Sequence, residues 1–149
     1  MIDQPDTAQP DTTQSDTDQP GFAPVRPVDR AKFAALAPDE RYSQMLLGHD
    51  NGARHCSIAY IQTPPGGGSP EGLHTHEGDQ IFFVLQGTMS IEVDGTEHSV
   101  EAGNLIVFPA GVPHRNWNGG SEPTVHLAVN APLPDPARPF ARRVSPASG

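Results

Sequence analysis

Apolar and polar positions alternate in short runs from Arg41 to Asn130, and no helical period is sustained across that region. Tyr42 to Gly48 and Arg54 to Thr63 predict two strands, with His49-Asp50-Asn51-Gly52 as the turn between them. Pro64-Pro65-Gly66-Gly67-Gly68 is a cluster of breakers and predicts a loop. Leu73 to His76 reads as a short strand, turned by Glu77-Gly78-Asp79. Gln80 to Gln86 is the most apolar strand of the chain, and Thr88 to Val93 alternates. Asp94-Gly95 predicts a tight hairpin, because both positions tolerate positive φ, and Thr96 to Val100 returns from it. Glu101 to Asn104 turns into Leu105 to Phe108. Pro113 to Asn118 and Pro123 to Asn130 follow, separated by Gly119-Gly120-Ser121-Glu122. Eight or so short strands joined by tight turns predict an all-β sandwich or barrel.

The ends of the chain read differently. The first twenty residues form a degenerate repeat of Asp, Thr, Gln and Pro, with Ile2 the one large apolar residue after Met1. Such a segment buries too little surface to offset its ordering entropy, so residues 1–21 are expected to be a disordered tail. Residues 22–40 read as an arm: Phe22 to Val28 is Pro-rich and extended, and Asp29 caps a short helix from Arg30 to Leu36 that ends before Pro38. The barrel is assigned to 41–131, and the Pro/Arg-rich stretch 132–149 is expected to wrap it before fraying.

Composition narrows the partners more than the chemistry. The formal net charge of −9 falls to −4 once the five aspartates of the first twenty residues are set aside. That mild acidity argues against nucleic acid or an anionic membrane as a partner. No run of about 18 apolar residues predicts a transmembrane helix, and the N-terminus lacks the basic and apolar regions of a secretory signal. Cys56 is the one cysteine, which excludes an internal disulfide and fits a reducing compartment. It lies in a strand-like run and reads as a small packed side chain. The expected location is the cytoplasm.

The candidate chemistry begins at His74 and His76. Two residues apart on a strand, they share one face, with roughly 7 Å between them along the chain. Two converging imidazoles make half of a transition-metal site, and the bland alternative is a pair of surface histidines beside a glycine loop.

A second stretch, Gly103 to Asn118, supplies His114 after a Pro-x-Gly turn. Together the two stretches resemble the paired motifs of the cupin family, G-x5-H-x-H-x3or4-E-x6-G and G-x5-P-x-G-x2-H-x3-N. Gly68, His74, His76 and Gly87 match the first; Gly103, Pro109, Gly111, His114 and Asn118 match the second. Nine of the ten fixed positions agree, and Gln80 stands where the family usually has glutamate. The resemblance spans roughly residues 40 to 131. It implies a single-domain cupin jelly roll, a double-stranded β-helix barrel. It also implies one divalent transition metal ion per chain (Fe, Zn, Mn or Ni) held by His74, His76 and His114, with two coordination positions open.

Strand period places Gln80, Phe82 and Val84 on one face, so the Gln80 side chain is expected to point at the metal. An amide oxygen is neutral, so a site of three histidines and a glutamine leaves the ion more Lewis-acidic. Two alternatives stay open: Gln80 as a hydrogen-bonding neighbour of a three-histidine site, or Glu77 or Asp79 swinging in as a carboxylate. Among the other histidines, His49 and His98 read as solvated, whereas His55 and His126 lie on strands that could line the barrel mouth. Beyond the ligands, His126 is the candidate base or substrate hydrogen bonder and Asn116 a candidate for orienting a ligand, against the plain reading of structural residues. Phe82, Phe108 and Trp117 are the candidate pocket walls, with core packing as their alternative.

The first function class is a mononuclear non-haem metal oxidoreductase, dioxygenase-like, acting on a small, weakly charged organic substrate in a compact apolar pocket. The second is a non-redox isomerase, cyclase or lyase in which the ion polarises a carbonyl, and the third is a ligand-binding cupin without turnover. A fold alone names no reaction. Strand edges of such barrels call for cover, so a C2 homodimer is expected.

Overall fold

The computed structural model describes residues 22–145; the expected disordered tail over 1–21 lies outside them. The described chain begins as an irregular arm and a single short helix, α1 (Arg30–Ala34). Asp29 caps that helix as its sequence position predicts, its carboxylate accepting from the Lys32 N–H at 3.0 Å. Phe33 is the buried residue of α1, wedged edge-on against Tyr42 and Tyr60.

Ten strands follow: β1 (Tyr42–Leu47), β2 (Ser57–Thr63), β3 (His74–Thr75), β4 (Asp79–Gln86), β5 (Thr88–Val93), β6 (Thr96–Glu101), β7 (Leu105–Phe108), β8 (His114–Trp117), β9 (Thr124–Ala131) and β10 (Arg142–Arg143). They form two five-stranded antiparallel sheets, one ordered β1-β2-β9-β4-β7 and the other β10-β3-β8-β5-β6. This is the all-β architecture expected from the strand pattern, in the jelly-roll form that the cupin resemblance implies. The β5–β6 hairpin turns at Asp94 and Gly95, which take the positive φ values (49° and 79°) that the two-residue turn needs.

The period-two pattern sorts each strand into an inner and an outer face. Ala59, Ile61, Phe82, Val84, Met89, Ile91, Ile106, Phe108 and Ala128 point inward from both sheets and form one continuous core. Register then arranges the inner face in tiers. Asn130 stands level with Gln80 and Ser57, Ala128 with Phe82 and Ala59, and His126 with Val84 and Ile61. The top tier is polar and the next is apolar, so the barrel is sealed below its upper end.

Two glycines beside the histidine segments are required, one by close approach and one by backbone conformation. A Cβ on Gly68 would stand 2.5 Å from the Asn116 carbonyl oxygen, where the loop before β3 presses on β8. Gly111 has φ +74° at the turn before β8, and its N–H donates to the His76 carbonyl at 2.9 Å. That bond joins the two histidine-bearing segments through their backbones.

Beyond β9 the chain does not leave the barrel. It crosses the upper end and returns as β10, pairing with β3 through Arg142 opposite Thr75 and Arg143 opposite His74. Among the described residues no helix is long and apolar enough to cross a membrane.

Candidate metal centre

His74 enters on β3, His76 just after it, and His114 opens β8 directly opposite His74 in the ladder. All three are buried, and their ligand atoms lie within 4.8 Å of one another. The ring centroids stand 4.5 to 5.1 Å apart in tilted, edge-to-face arrangements. Strand alternation set His74 and His76 on one face; cross-strand register supplied His114 from 38 residues further on.

The hydrogen bonds decide what these rings can do. Each Nδ1 meets a backbone carbonyl: His74 with Gly72 at 2.6 Å, His76 with Phe140 at 2.7 Å and His114 with Val112 at 2.9 Å. A carbonyl can only accept, so each Nδ1 carries the proton and each Nε2 presents a lone pair. The Nε2 atoms of His74 and His76 face each other at 3.1 Å. Two lone pairs held that close, out of water, repel unless a cation lies between them. The separation also suits two nitrogens bound side by side to one ion at about 2.0–2.1 Å. The donor set therefore fits a transition metal ion. Burial holds the His76 imidazole below its ordinary pKa and pushes His114 down to about 4, so both stay neutral and able to ligate at pH 7.

Gln80 stands beside the three histidines. Its Oε1 lies 3.3 Å from His114 Nε2, and its Nε2 donates to Asn130 Oδ1 at 3.0 Å. Asn130 in turn donates to Ser57 Oγ at 3.2 Å. This relay uses the amide nitrogen elsewhere and leaves the oxygen aimed at the histidines. The carboxylates considered as substitutes are engaged outside the centre. Asp79 accepts from the Ala110 N–H at 2.9 Å, and Glu77 pairs with Arg138 and Arg142 at 2.8 and 3.4 Å. Both point outward, as strand parity requires for Asp79.

The centre opens into a cavity of about 910 Å³. Phe82 lines it, together with Ala59, Ile61 and Ala128 below the histidines. Arg41, Asp50, Glu71, Asp135 and Arg138 stand around the remainder. The pocket floor is apolar as expected, but the expectation of a compact pocket with little charge is corrected: Arg41 and Asp50, on either side of β1, and the C-terminal segment widen the space and bring charge to its rim.

The remaining candidates separate clearly. Asn116 lines the cavity, but its Oδ1 accepts from Ser69 Oγ at 2.6 Å, tying the loop to β8. Phe108 is fully buried and stacks on His114 with centroids 4.3 Å apart and 18° between planes, so it backs that imidazole. Trp117 does not line the cavity; it alternates outward with Arg115, whose guanidinium covers its ring at 4.9 Å. His126 is not brought to the centre. It lies two tiers below Asn130, against the Phe82 ring at 4.2 Å, with neither ring nitrogen hydrogen-bonded. His55 and His98 are exposed, while His49 lines the cavity and donates from Nε2 to the Pro134 carbonyl at 2.6 Å. Asn118, the last motif position, is buried and donates to the Thr63 and Glu122 carbonyls, closing the turn after β8.

Comparison with known proteins agrees with this geometry. The family model described as the Cupin domain matches residues 59–130. The auxin-binding protein ABP19b of Prunus persica is 36% identical over 85 residues, covering 52% of this chain and 40% of that protein. The chain therefore spans about two fifths of that relative's length. A predicted oxalate decarboxylase from Thermotoga maritima is 30% identical, with a TM-score of 0.55, covering 62% of this chain and 81% of the other. The polyketide cyclase RemF from Streptomyces resistomycificus is 27% identical, with a TM-score of 0.61, covering 73% and 74%.

Proposed function

This chain belongs to the cupin superfamily, and from that premise we propose that it is a metal-dependent enzyme acting on a small organic substrate at a single ion. His74, His76 and His114 hold the ion through Nε2, and Gln80 Oε1 is the fourth donor. The observation that carries this reading is the fixed tautomer of all three imidazoles, with their lone pairs converging beside an amide oxygen.

Every donor in that set is neutral. A divalent ion bound there keeps its full charge and supplies Lewis acidity toward a carbonyl or enol oxygen. The chain's own groups do the rest. Phe82, Ala59 and Ala128 form an apolar floor that keeps water from beneath the substrate, and Ser57 and Asn130 hold the Gln80 amide in one orientation. The non-redox class of isomerase, cyclase or lyase is therefore the better supported reading. The likeness to a polyketide cyclase points the same way. A dioxygenase-like oxidoreductase is the second reading, favoured by the wide cavity on the open side of the histidines, which has room for a chelating substrate and oxygen together.

Protein purified without added metal separates the two. Zinc or another redox-inert ion, with turnover of a β-dicarbonyl substrate and no oxygen uptake, supports the first. Iron with stoichiometric oxygen uptake overturns it in favour of the second.

A second copy of the chain is the proposed protein partner, in the cytoplasm. Support comes from β7, a sheet edge with no second partner among the described residues, which exposes Leu105 and Val107 beside Phe83 and Leu85 of β4. Light scattering decides this: a monomeric mass at all concentrations contradicts it, and a dimer dispersed by Leu105→Glu supports it.

A further inference from the structure

Two of the three imidazoles are oriented by their own neighbourhood. His74 and His114 each donate from Nδ1 to the carbonyl two residues before them, Gly72 and Val112. His76 is different: its acceptor is the carbonyl of Phe140, 64 residues away. The Phe140 ring also lies over the His76 ring, with centroids 4.3 Å apart and 36° between planes. One residue thus supplies both the proton acceptor and a cover for the same imidazole.

The segment bearing Phe140 is fastened at several points. β10 pairs with β3 alongside His74, and the Val144 N–H donates to the Leu73 carbonyl at 2.9 Å. Arg138 and Arg142 both reach Glu77 Oε1, at 2.8 and 3.4 Å. Pro134 accepts from His49 Nε2 across the cavity. All but the His49 tie run to the strand and loop that carry His74 and His76, so the strap and the centre share a frame. The matched cupin region ends at residue 130, before any of this begins.

We propose that the segment 132–144 is a working part of the metal centre, and that Phe140 is the positioning residue for His76. Its carbonyl holds the tautomer that leaves Nε2 free to ligate, and its ring shields that side of the ion from competing water and chelators. The proposal rests on the reading that the triad holds an ion. A group that orients a ligating histidine through its other nitrogen typically contributes 10–100-fold to metal affinity.

Cobalt(II) on the full-length chain is the probe, read by its visible absorption spectrum and by the rate of release to EDTA, well below the unfolding temperature. Glu77→Gln combined with Val144→Pro loosens the strap and alters no group facing the ion. It is expected to lower cobalt affinity 10–100-fold, shift the absorption bands and hasten release. Phe140→Ala keeps the carbonyl and removes the ring; release is expected to quicken roughly tenfold with affinity less affected, and Phe140→Leu to restore the slow rate. Should the loosened variant unfold, the Phe140 pair still decides, because that ring is half exposed. Wild-type affinity, spectrum and release rate in the folded variants would overturn the proposal. A wild-type chain that takes up no cobalt would instead overturn the metal reading beneath it.

Discussion

Gln80 and Asn130 face each other across the β4–β9 ladder, and one amide orients the other. Asn130 Oδ1 accepts from Gln80 Nε2 at 3.0 Å, so Gln80 Oε1 is turned toward His114 rather than away from it. The position where the cupin motif usually has glutamate thus presents an uncharged oxygen to the histidines.

Removing the support should weaken the site without touching a ligand. Asn130→Ala is expected to lower metal affinity roughly tenfold, measured by chelator competition at pH 7.5. Gln80→Glu should act oppositely, strengthening retention of a divalent ion by at least about tenfold, because a carboxylate adds a charge-assisted bond. Unchanged affinity in both variants would remove Gln80 from the donor set.

Two of the three aromatic residues expected as pocket walls, Phe82 and Trp117, should behave differently. Phe82 is buried against Phe108 and His126, so Phe82→Ala should cost about 3–5 kcal/mol in urea unfolding. Trp117 lies outside the cavity under Arg115, and Trp117→Leu should leave metal affinity within roughly twofold. A large loss of affinity in that variant would mean that Trp117 reaches the centre.

Burial holds the His126 pKa down to about 3, with a smaller push from Arg41. In the unfolded chain the group titrates near its ordinary value, so between pH 6.5 and 3 the unfolded state binds the extra proton. Stability therefore rises with pH across that window and is lost as the medium is acidified. His126→Leu should flatten the metal-free protein's stability profile between pH 6 and 4 by up to about 1.4 kcal/mol per pH unit. Equal slopes in wild type and variant would place a polar partner against the ring.

Crowding at Gly68 gives a separate check on the loop that leads into β3. Gly68→Ala forces a methyl group against the Asn116 carbonyl and should destabilise the fold by about 1–3 kcal/mol, seen as a lower urea midpoint. A neutral result would show that this loop yields easily.

The strand pattern and the two motifs made the jelly roll and the three histidines legible, because both depend on spacings of two or a few residues. Trp117 was legible by the same parity that turns Arg115 outward, against the expectation, drawn from the cupin resemblance, that it lines a pocket. The depth of His126 needed cross-strand register: only its level with Val84 and Ile61 places it beneath Phe82. Glu77 and Asp79 required knowledge of their actual partners, the C-terminal arginines and the Ala110 N–H. Phe140 was least visible of all. It lies in a Pro-rich stretch with no period, and its contact with His76 spans 64 residues.

Metal content of the natively purified protein, set beside that of His114→Ala, tests the central claim most directly. The three converging Nε2 lone pairs predict close to one transition metal ion per wild-type chain and loss of most of it in the folded variant. Full occupancy in His114→Ala, or a wild-type chain that takes up no divalent transition metal when it is supplied, would contradict it.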